Sequence, residues 1–291
     1  MKSQSAMEYL MTYGWAILVI AVVLAALYSL GIFNPSTFAP KASAGSCEVV
    51  RPFGPTTTTD IHLEGTCTNM LPKYVASFDG SSIIYSNISE MPYGSSPVTV
   101  TGWFYYTPSM PVPSMLWSYG ISGNCGAGNY FSLRYLQGSG NPNNTFTTDP
   151  WCDQVATIVT PKPGIWYFIA ETANKSDFGI YVSLNGKIYS NTGGVPANIK
   201  PSEYFYIAKG NDGGNFVGSI SDLQIYNTTL SKNQINALYQ EGIGGDPIDL
   251  THLVAWYPLN GNANDYSGND YNGKGVDVGY SPTWYRTYSA P

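Results

Sequence analysis

Four cysteines are the residues whose type and spacing most clearly indicate chemistry. Cys47 and Cys67 lie 20 residues apart, and Cys125 and Cys152 lie 27 residues apart. These intervals do not match the closely spaced ligand pairs of zinc sites, and the chain has only two histidines to add as ligands. An even number of cysteines is typical of proteins exported to an oxidising compartment. Of the three possible connectivities we expect the two local disulfide bonds, each stabilising the fold by about 3–4 kcal/mol.

Four asparagines head Asn-x-Ser/Thr sequons, which accept N-linked glycans in exported proteins. They are Asn87, Asn143, Asn174 and Asn227. The four sites predict a glycosylated surface protein, although chance alone supplies some sequons in a chain this rich in Asn, Ser and Thr.

The sequence lacks the residue patterns of the common catalytic sites. A glycosidase needs two carboxylates about 5–10 Å apart, and no cluster of acids at strand spacing occurs. There is also no Gly-x-Ser-x-Gly elbow, His-Glu-x-x-His helix or phosphate-binding loop. We therefore expect a binding protein and not an enzyme, with a glycan-active enzyme as the weaker alternative.

An apolar run from about residue 15 to residue 33 dominates the N-terminal part of the chain. About 20 apolar residues, each rising 1.5 Å, span the hydrocarbon core of a membrane, so the run predicts a membrane-inserting helix. The polar residues before it include Glu8. A carboxylate at the head of a membrane helix is costly unless an opposite charge lies beside it.

The segment Gln4–Tyr9, which reads Gln-Ser-Ala-Met-Glu-Tyr, resembles the class III signal of archaeal type IV pilins and archaellins. The resemblance implies that a prepilin-type peptidase cleaves between Ser3 and Gln4. It also implies that Glu8 pairs with the α-amino group of a neighbouring subunit as the helices bundle into a filament, because a buried carboxylate is tolerated beside an opposite charge. The alternative is an uncleaved membrane anchor, with Lys2 holding the amino terminus in the cytoplasm.

The composition of the chain is typical of an extracellular β protein. Its 291 residues include 31 Gly, 20 Pro and 24 Tyr but only 11% charged residues, which suits many short strands joined by turns. The net charge is −6 and the pI is about 4.8, so no basic surface is available to neutralise phosphates. We expect no nucleic-acid partner.

The alternation of apolar and polar residues after the N-terminal helix predicts a mainly β protein, an antiparallel β-sandwich with one short helix. We divide the chain into four parts: the signal and hydrophobic helix at 1–33, a linker at 34–46, a cysteine-stapled connector at 47–72 and the sandwich at 73–291.

Two local signals place a turn and the short helix. Asn185-Gly186 between two apolar runs is typical of a two-residue hairpin, because both positions take positive φ. Ser231 and Gln234 form the pattern of a capping box, and Gly242 is a helix-ending residue. The helix should therefore lie between Ser231 and Gly242.

Short motifs in the sandwich region resemble the laminin-G-like group of concanavalin-type jelly rolls. They are Phe78–Ser81, Val100–Phe104, Trp166-Tyr167 and the strand and helix at 218–242. The resemblance implies a jelly roll for most of the chain.

The segment 253–269 is similar to the opening strand and loop of the same family, yet here it stands last. About 40 residues cannot bury a core of their own. We therefore interpret the domain as circularly permuted, with its last strand near 253–259 in the place of the usual first one, and we expect Trp256 in the core. The alternative is a truncated second repeat.

The resemblance also implies a calcium site, since relatives of this fold often hold the ion near the loop that follows the opening strand. This loop contains Asp265 and Asn269, and Asp222 lies near it if the last strand docks as interpreted. Carboxylate and amide oxygens are suitable calcium ligands. The alternative is that Asp265 and Asn269 only cap turns.

Together these features predict a subunit of a surface filament. Its helix assembles with like subunits, and its jelly roll is displayed for adhesion or for recognition of a carbohydrate or a surface protein. The alternative is a membrane-anchored, lectin-like extracellular protein that does not polymerise. In both cases the N-terminal helix is inserted in the membrane and the bulk of the chain is extracellular.

Overall fold

The computed structural model describes residues 13, 16–25, 47–55, 57–65, 67, 71–121, 123, 125–137, 144–150, 152–210 and 214–291. The chain forms two compact units that divide between Ser43 and Ala44.

Helix α1, residues 16–25, belongs to the first unit, and its apolar side chains are exposed there. No helix in the described part of the chain is both long enough and apolar enough to cross a membrane. The predicted cleavage site between Ser3 and Gln4, and Glu8 after it, lie outside the described residues.

The second unit is built from short strands, which form a two-stranded hairpin and two larger, mainly antiparallel sheets. In chain order they are β1 (Cys47–Val50), β2 (His62–Gly65), β3 (Val75–Asp79), β4 (Ile83–Ser86), β5 (Val98–Tyr106), β6 (Ser114–Gly120), β7 (Tyr130–Gln137), β8 (Asn144–Thr148), β9 (Val155–Ala156), β10 (Trp166–Ala173), β11 (Phe178–Leu184), β12 (Lys187–Gly193), β13 (Phe205–Ile207), β14 (Gly214–Asn215), β15 (Val217–Tyr226), β16 (Leu253–Tyr257), β17 (Lys274–Val276) and β18 (Gly279–Ser281).

Sheet I has the strand order β12-β11-β10-β5-β15-β3-β18, with β16 also paired to β15. Sheet II has the order β17-β4-β13-β6-β7-β8-β9, and β14 joins β6 in parallel. Strands β1 and β2 form the separate hairpin. The predicted antiparallel sandwich is therefore present.

The two local signals act as the sequence predicts. Asn185 and Gly186 have φ angles of 51° and 75° and join β11 to β12. Helix α2 (Lys232–Glu241) begins after Ser231, whose side chain completes the capping box with Gln234. A short 3₁₀ helix (Trp284–Thr287) follows β18.

Two apolar clusters lie on opposite faces of sheet I, because successive residues of a strand point to opposite sides. Phe104 of β5 packs between the sheets, with its ring centroid 5.4 Å from that of Trp117 in β6. Its neighbour Trp103 belongs to the outer cluster, where it lies 5.7 Å from Tyr239 of α2. Helix α2 and the β1–β2 hairpin therefore cover sheet I from outside.

The tail strand β16 is part of the sandwich, as expected. All five of its residues are buried, including Trp256. It pairs with Leu223–Tyr226 of β15, whereas β3 pairs with Val217–Ile220 on the same strand. Strand β16 thus continues the line of β3 along β15, which is compatible with the permutation that we infer from the sequence.

Both disulfide bonds have the expected local pairing, Cys47 with Cys67 and Cys125 with Cys152. The first bond ties β1 to the segment after β2. Arg51, just beyond β1, donates hydrogen bonds of 2.9 Å to the carbonyl oxygens of both Leu250 and Leu253. The connector is therefore fastened to the tail of the same compact unit.

One buried carboxyl interrupts the apolar core. Glu171 of β10 is fully buried and accepts a 2.6 Å hydrogen bond from Nε1 of Trp117 and another from the hydroxyl of Thr148. Burial, which disfavours the charged form, raises its pKa to about 8. Glu171 therefore keeps its proton near neutral pH.

Candidate functional site

A cleft at one edge of sheet II combines aromatic rings with polar and charged side chains. Its volume, including the part that is open to solvent, is about 500 Å³. It is lined by Tyr85, Asn87, Tyr204, Asp270, Tyr271, Asn272 and Lys274. We call it the tyrosine cleft.

The register of three strands places the centre of the tyrosine cleft. Lys274 of β17 lies directly opposite Tyr85 of β4, and Tyr85 lies opposite Tyr206 of β13. Residues directly opposite each other in an antiparallel pair point to the same face of the sheet. The next residue on each side of Tyr85 is more buried, so this row faces away from the core.

Tyr204 completes an aromatic group beside this row. Its ring centroid lies 5.1 Å from that of Tyr85 at an interplanar angle of 81°, and 6.0 Å from that of Tyr206 at 61°. The ammonium of Lys209 lies 4.6 Å from the centroid of Tyr206. All three tyrosines are half-buried, so packing holds the rings in place while part of each remains accessible.

The loop before β17 supplies the opposite wall of the cleft and is fixed by hydrogen bonds. The carbonyl of Tyr271 accepts 2.7 Å bonds from the hydroxyls of Ser86 and Tyr257. The hydroxyl of Tyr271 lies 3.1 Å from that of Ser89. Because these contacts hold the loop in one arrangement, the polar groups of the wall are preorganised.

The rim of the cleft carries one acidic and one basic side chain. Asp270 and Lys274 are exposed, as are the amide-bearing side chains of Asn87 and Asn272. A hydrogen bond with Glu203 raises the pKa of Tyr204 above its ordinary value. The cleft therefore presents donors and acceptors around aromatic rings, which is a surface suited to a polar ligand with an apolar face.

In the predicted calcium site the carboxylate oxygens of Asp222 and Asp265 are already engaged, whereas Oδ1 of Asn269 is buried without a hydrogen-bond partner in the described part of the chain. Oδ1 of Asp265 accepts from the backbone N–H groups of Trp256 and Ser267, both at 2.9 Å. Oδ2 accepts from the Ser267 hydroxyl at 2.8 Å and the Tyr271 N–H at 3.0 Å. Nδ2 of Asn269 donates to the carbonyls of Leu253 and Val254. Asp265 and Asn269 thus organise a turn.

Asp222 is buried at the bulge of β15. Its Oδ1 accepts from Nε1 of Trp256 at 2.8 Å and from Nε2 of Gln224 at 3.0 Å. Asp265, in contrast, contacts the backbone of Trp256. The carboxylates of Asp222 and Asp265 already receive N–H and O–H donors, which leaves only Oδ1 of Asn269 without a partner among the three predicted residues. This set of residues does not fit a calcium site as it stands.

A second cavity lies beside Asp222 and the Cys47–Cys67 disulfide and also contains Asp246. Burial raises the pKa of Asp222 to about 7 and that of Asp246 to about 6. The two sulfur atoms near Asp246 are joined in the disulfide, so they offer no thiolate to a metal ion.

The predicted glycosylation residues differ in their surroundings. Asn87 is exposed in the tyrosine cleft, and Asn227 is exposed beside Tyr93 in a separate groove. Asn174 is held in a turn, where its Nδ2 donates to Oδ1 of Asp177 at 3.0 Å. Asn143 lies outside the described residues.

No short motif in the sequence identifies the tyrosine cleft. Tyr85 and Tyr206 are more than a hundred residues apart, and only the pairing of β4 with β13 brings them together. The signal that was available is their alternation with the buried residues Ile84 and Phe205 on each strand, which marks the tyrosines as outward-facing.

The fold and its motifs define a jelly-roll domain, and residues 79–236, slightly more than half of the chain, match the concanavalin A-like lectin/glucanases superfamily of laminin-G type. The chain therefore belongs to this family. The tail that contains β16 lies beyond the matched residues. No curated protein shows significant similarity to the chain.

The chain is similar to several solved structures at low sequence identity. A Bacteroides ovatus protein described as carbohydrate-binding is 16% identical, with a TM-score of 0.55 over 77% of this chain and 64% of its own. The enzymatically active domain of tailspike protein 2 from bacteriophage CBA120 is 15% identical, with a TM-score of 0.49 over 79% and 35%. A carbohydrate-binding module of a Ruminococcus gnavus sialidase, bound to sialyllactose, is 16% identical, with a TM-score of 0.40 over 57% and 97%. The chain thus spans less than two thirds of the first two proteins.

Proposed function

We propose that the sandwich is a lectin-like recognition module that binds carbohydrate in the tyrosine cleft. The observation that carries this proposal is the group of three half-exposed rings, Tyr85, Tyr204 and Tyr206, beside a polar rim. A pyranose has an apolar face of C–H groups and an edge of hydroxyls. Flat amphipathic rings suit that face, and amide, carboxylate and ammonium groups bind the hydroxyls.

The rigidity of the tyrosine cleft supports a binding role. The Tyr271 carbonyl is held by two hydroxyls, and the tyrosine rings are held by one another. A site that is already ordered loses less conformational entropy when a ligand binds. Asp270 and Lys274 on the rim offset each other in charge, which favours a neutral or weakly charged sugar.

The comparisons are compatible with this proposal. The family includes lectins by its description, and the structurally similar Bacteroides ovatus protein is described as carbohydrate-binding. At 16% identity that likeness supports the fold, so the ligand of this chain is argued from its own residues.

We further propose that the N-terminal segment displays this module on a surface filament. The Gln4–Tyr9 motif and the apolar run after it support the proposal. Mass spectrometry of sheared surface filaments tests it, since mature subunits should yield a peptide that begins at Gln4. Recovery of the protein only from membranes, with Met1 intact, would instead support the anchored, non-polymerising alternative.

A glycan array tests the binding proposal. The purified protein should bind a subset of the carbohydrates immobilised on the array. A free sugar of the same type should displace the protein. Incubation with the bound glycans should release no product, because the proposed role is binding without hydrolysis. A protein that binds no carbohydrate on a broad array would contradict the proposal, and hydrolysis of a bound glycan would support the enzymatic alternative.

A further inference from the structure

Asn87 lies in the tyrosine cleft and heads a sequon, so the sequence marks it as a potential glycan acceptor. It heads the sequon Asn87-Ile88-Ser89, directly follows β4 and is exposed. Tyr85 stands two residues earlier, and both residues line the cleft. A sugar joined to Asn87 would therefore begin its chain beside the tyrosine rings.

The other described acceptors differ from Asn87. The side chain of Asn174 is engaged on both atoms: its Nδ2 donates to Asp177 and its Oδ1 accepts from the N–H of Ser176 at 2.7 Å. That hydrogen bonding holds the amide that a transferase would have to reach. Asn227 is exposed but lies in the groove with Tyr93. Among the described acceptors, Asn87 alone lines the tyrosine cleft.

We propose that Asn87 carries an N-linked glycan whose first sugars lie on Tyr85 and Tyr204, so that the chain's own glycan occupies the tyrosine cleft. The glycan comes from a lipid-phosphate-linked oligosaccharide. Nδ2 of Asn87 forms a bond to C1 of the first sugar, and the bond between C1 and the phosphate oxygen breaks. One amide proton passes to a base of the transferase, and the lipid phosphate leaves with the electron pair of the broken bond. The proposal rests on the carbohydrate recognition proposed above.

A tethered sugar has an advantage over a free one. A short flexible link gives it an effective concentration in the millimolar range at the site. If the attached glycan leaves the cleft open for about a tenth of the time, the apparent affinity for an external glycan falls about tenfold. Glycosylation of Asn87 thus regulates how strongly the module binds other carbohydrates.

The first measurement is made on the full protein from its native source and needs no external ligand. Peptide mass spectrometry should find the peptide with Asn87 glycosylated. Nitration of exposed tyrosines should modify Tyr85 and Tyr204 less in this protein than in Asn87→Gln, which removes the acceptor but keeps an amide on the rim and the Ser89 hydroxyl beside Tyr271. Ser89→Thr preserves both the sequon and the hydroxyl and should retain the protection.

The second measurement compares the affinities of the variants for a glycan that the protein binds on the array. Asn87→Gln should bind it about tenfold more tightly than the glycosylated protein, and Ser89→Thr should match the glycosylated protein. Asn227→Gln, which removes a sequon from the other groove, is the matched control and should leave both the affinity and the nitration pattern unchanged.

The outcomes separate this inference from the proposed function. An unmodified Asn87, or a glycosylated Asn87 with equal nitration of Tyr85 in all variants, would overturn the inference while leaving carbohydrate binding intact. Protection of the tyrosines without binding of any external glycan would support occupation of the cleft and count against the wider recognition role.

Discussion

The indole Nε1 of Trp256 donates a 2.8 Å hydrogen bond to Oδ1 of Asp222, which joins the tail strand β16 to the bulge of β15. Asp222 has a positive φ of 51° at this point, an unusual conformation for a residue other than glycine. The tryptophan is only 4% exposed. One side chain thus contributes both apolar burial and the partner of a buried carboxyl.

Trp256→Ala should strongly destabilise the sandwich. Loss of a buried tryptophan typically costs about 3–5 kcal/mol, and Asp222 would also lose a donor. Urea unfolding should show the loss, and Tyr93→Ala, at a ring that is 63% exposed, is the control.

Deletion of residues 250–291 should have a larger effect and give an insoluble or molten domain. A truncated protein that unfolds as cooperatively as the full chain would contradict the role assigned to the tail.

Glu171 should make the fold less stable as the pH rises. Its pKa is about 8 in the folded protein against 4.5 as its ordinary value. Between these values the unfolded carboxyl is ionised while the folded one keeps its proton, so the stabilisation is complete below pH 4.5 and is lost as the pH rises to about 8. Thermal unfolding between pH 5 and pH 8 measures this loss, at about 2–4 °C for each kcal/mol.

Glu171→Gln is the matched variant, because a neutral amide can accept from Trp117 and donate to Thr148. It should lose less stability than the wild type over the same pH range. Asp222, whose pKa of about 7 is raised by burial, acts in the same direction, so Asp222→Asn should flatten the profile further. Equal pH profiles for wild type and Glu171→Gln would show that Glu171 does not titrate in this way.

Asp265 should stabilise its turn without a metal ion. Its four hydrogen bonds end on one loop and on the tail strand, so Asp265→Ala should lower the melting temperature by the same amount in calcium and in chelator. The cost should be about 1–3 kcal/mol or more, since donors are left without their acceptor. A melting temperature that rises with calcium in the wild type alone would restore the predicted calcium site.

Glu8→Ala should reduce incorporation of the protein into filaments without preventing membrane insertion. The apolar run is unchanged by this substitution, whereas the proposed pairing with a neighbour's α-amino group is removed. The yield of filaments, compared with the amount of protein in the membrane fraction, measures the effect. Glu8→Asp is the control that retains the charge. Equal filament yield from Glu8→Ala would show that the pairing is unnecessary.

Features encoded over short distances in the sequence were predictable. The hairpin at Asn185-Gly186, the cap at Ser231 and the two local disulfides each depend on residues that are close in the chain. The resemblance of the tail to an opening strand also predicted the burial of Trp256. Each of these expectations is confirmed by the structure.

The tyrosine cleft and the buried acid were not predictable in this way. Lys274 and Tyr85 meet because β17 pairs with β4, a contact between the two ends of the sandwich sequence. In the sequence Glu171 looks like an ordinary acid on a strand. Its burial becomes apparent only in the structure, where the indole N–H of Trp117, 54 residues away, donates a hydrogen bond to it. The loop acids resemble calcium ligands in sequence, and only the donors around Asp265 reveal its role in the turn. Long-range pairing and packing of strands decide the first two, whereas the contacts of Asp265 are local and depend on the conformation of its turn.

The measurement that tests the central claim most directly is calorimetric titration of a glycan selected on the array against three single variants. Tyr85→Ala and Tyr204→Ala each remove part of the aromatic group and should weaken binding at least about tenfold, which corresponds to about 1.4 kcal/mol. Tyr93→Ala removes an exposed ring from the separate groove and should bind like the wild type, and melting temperatures confirm that all three variants are folded. Unchanged affinity in both Tyr85→Ala and Tyr204→Ala, or a loss confined to Tyr93→Ala, would contradict carbohydrate binding in the tyrosine cleft.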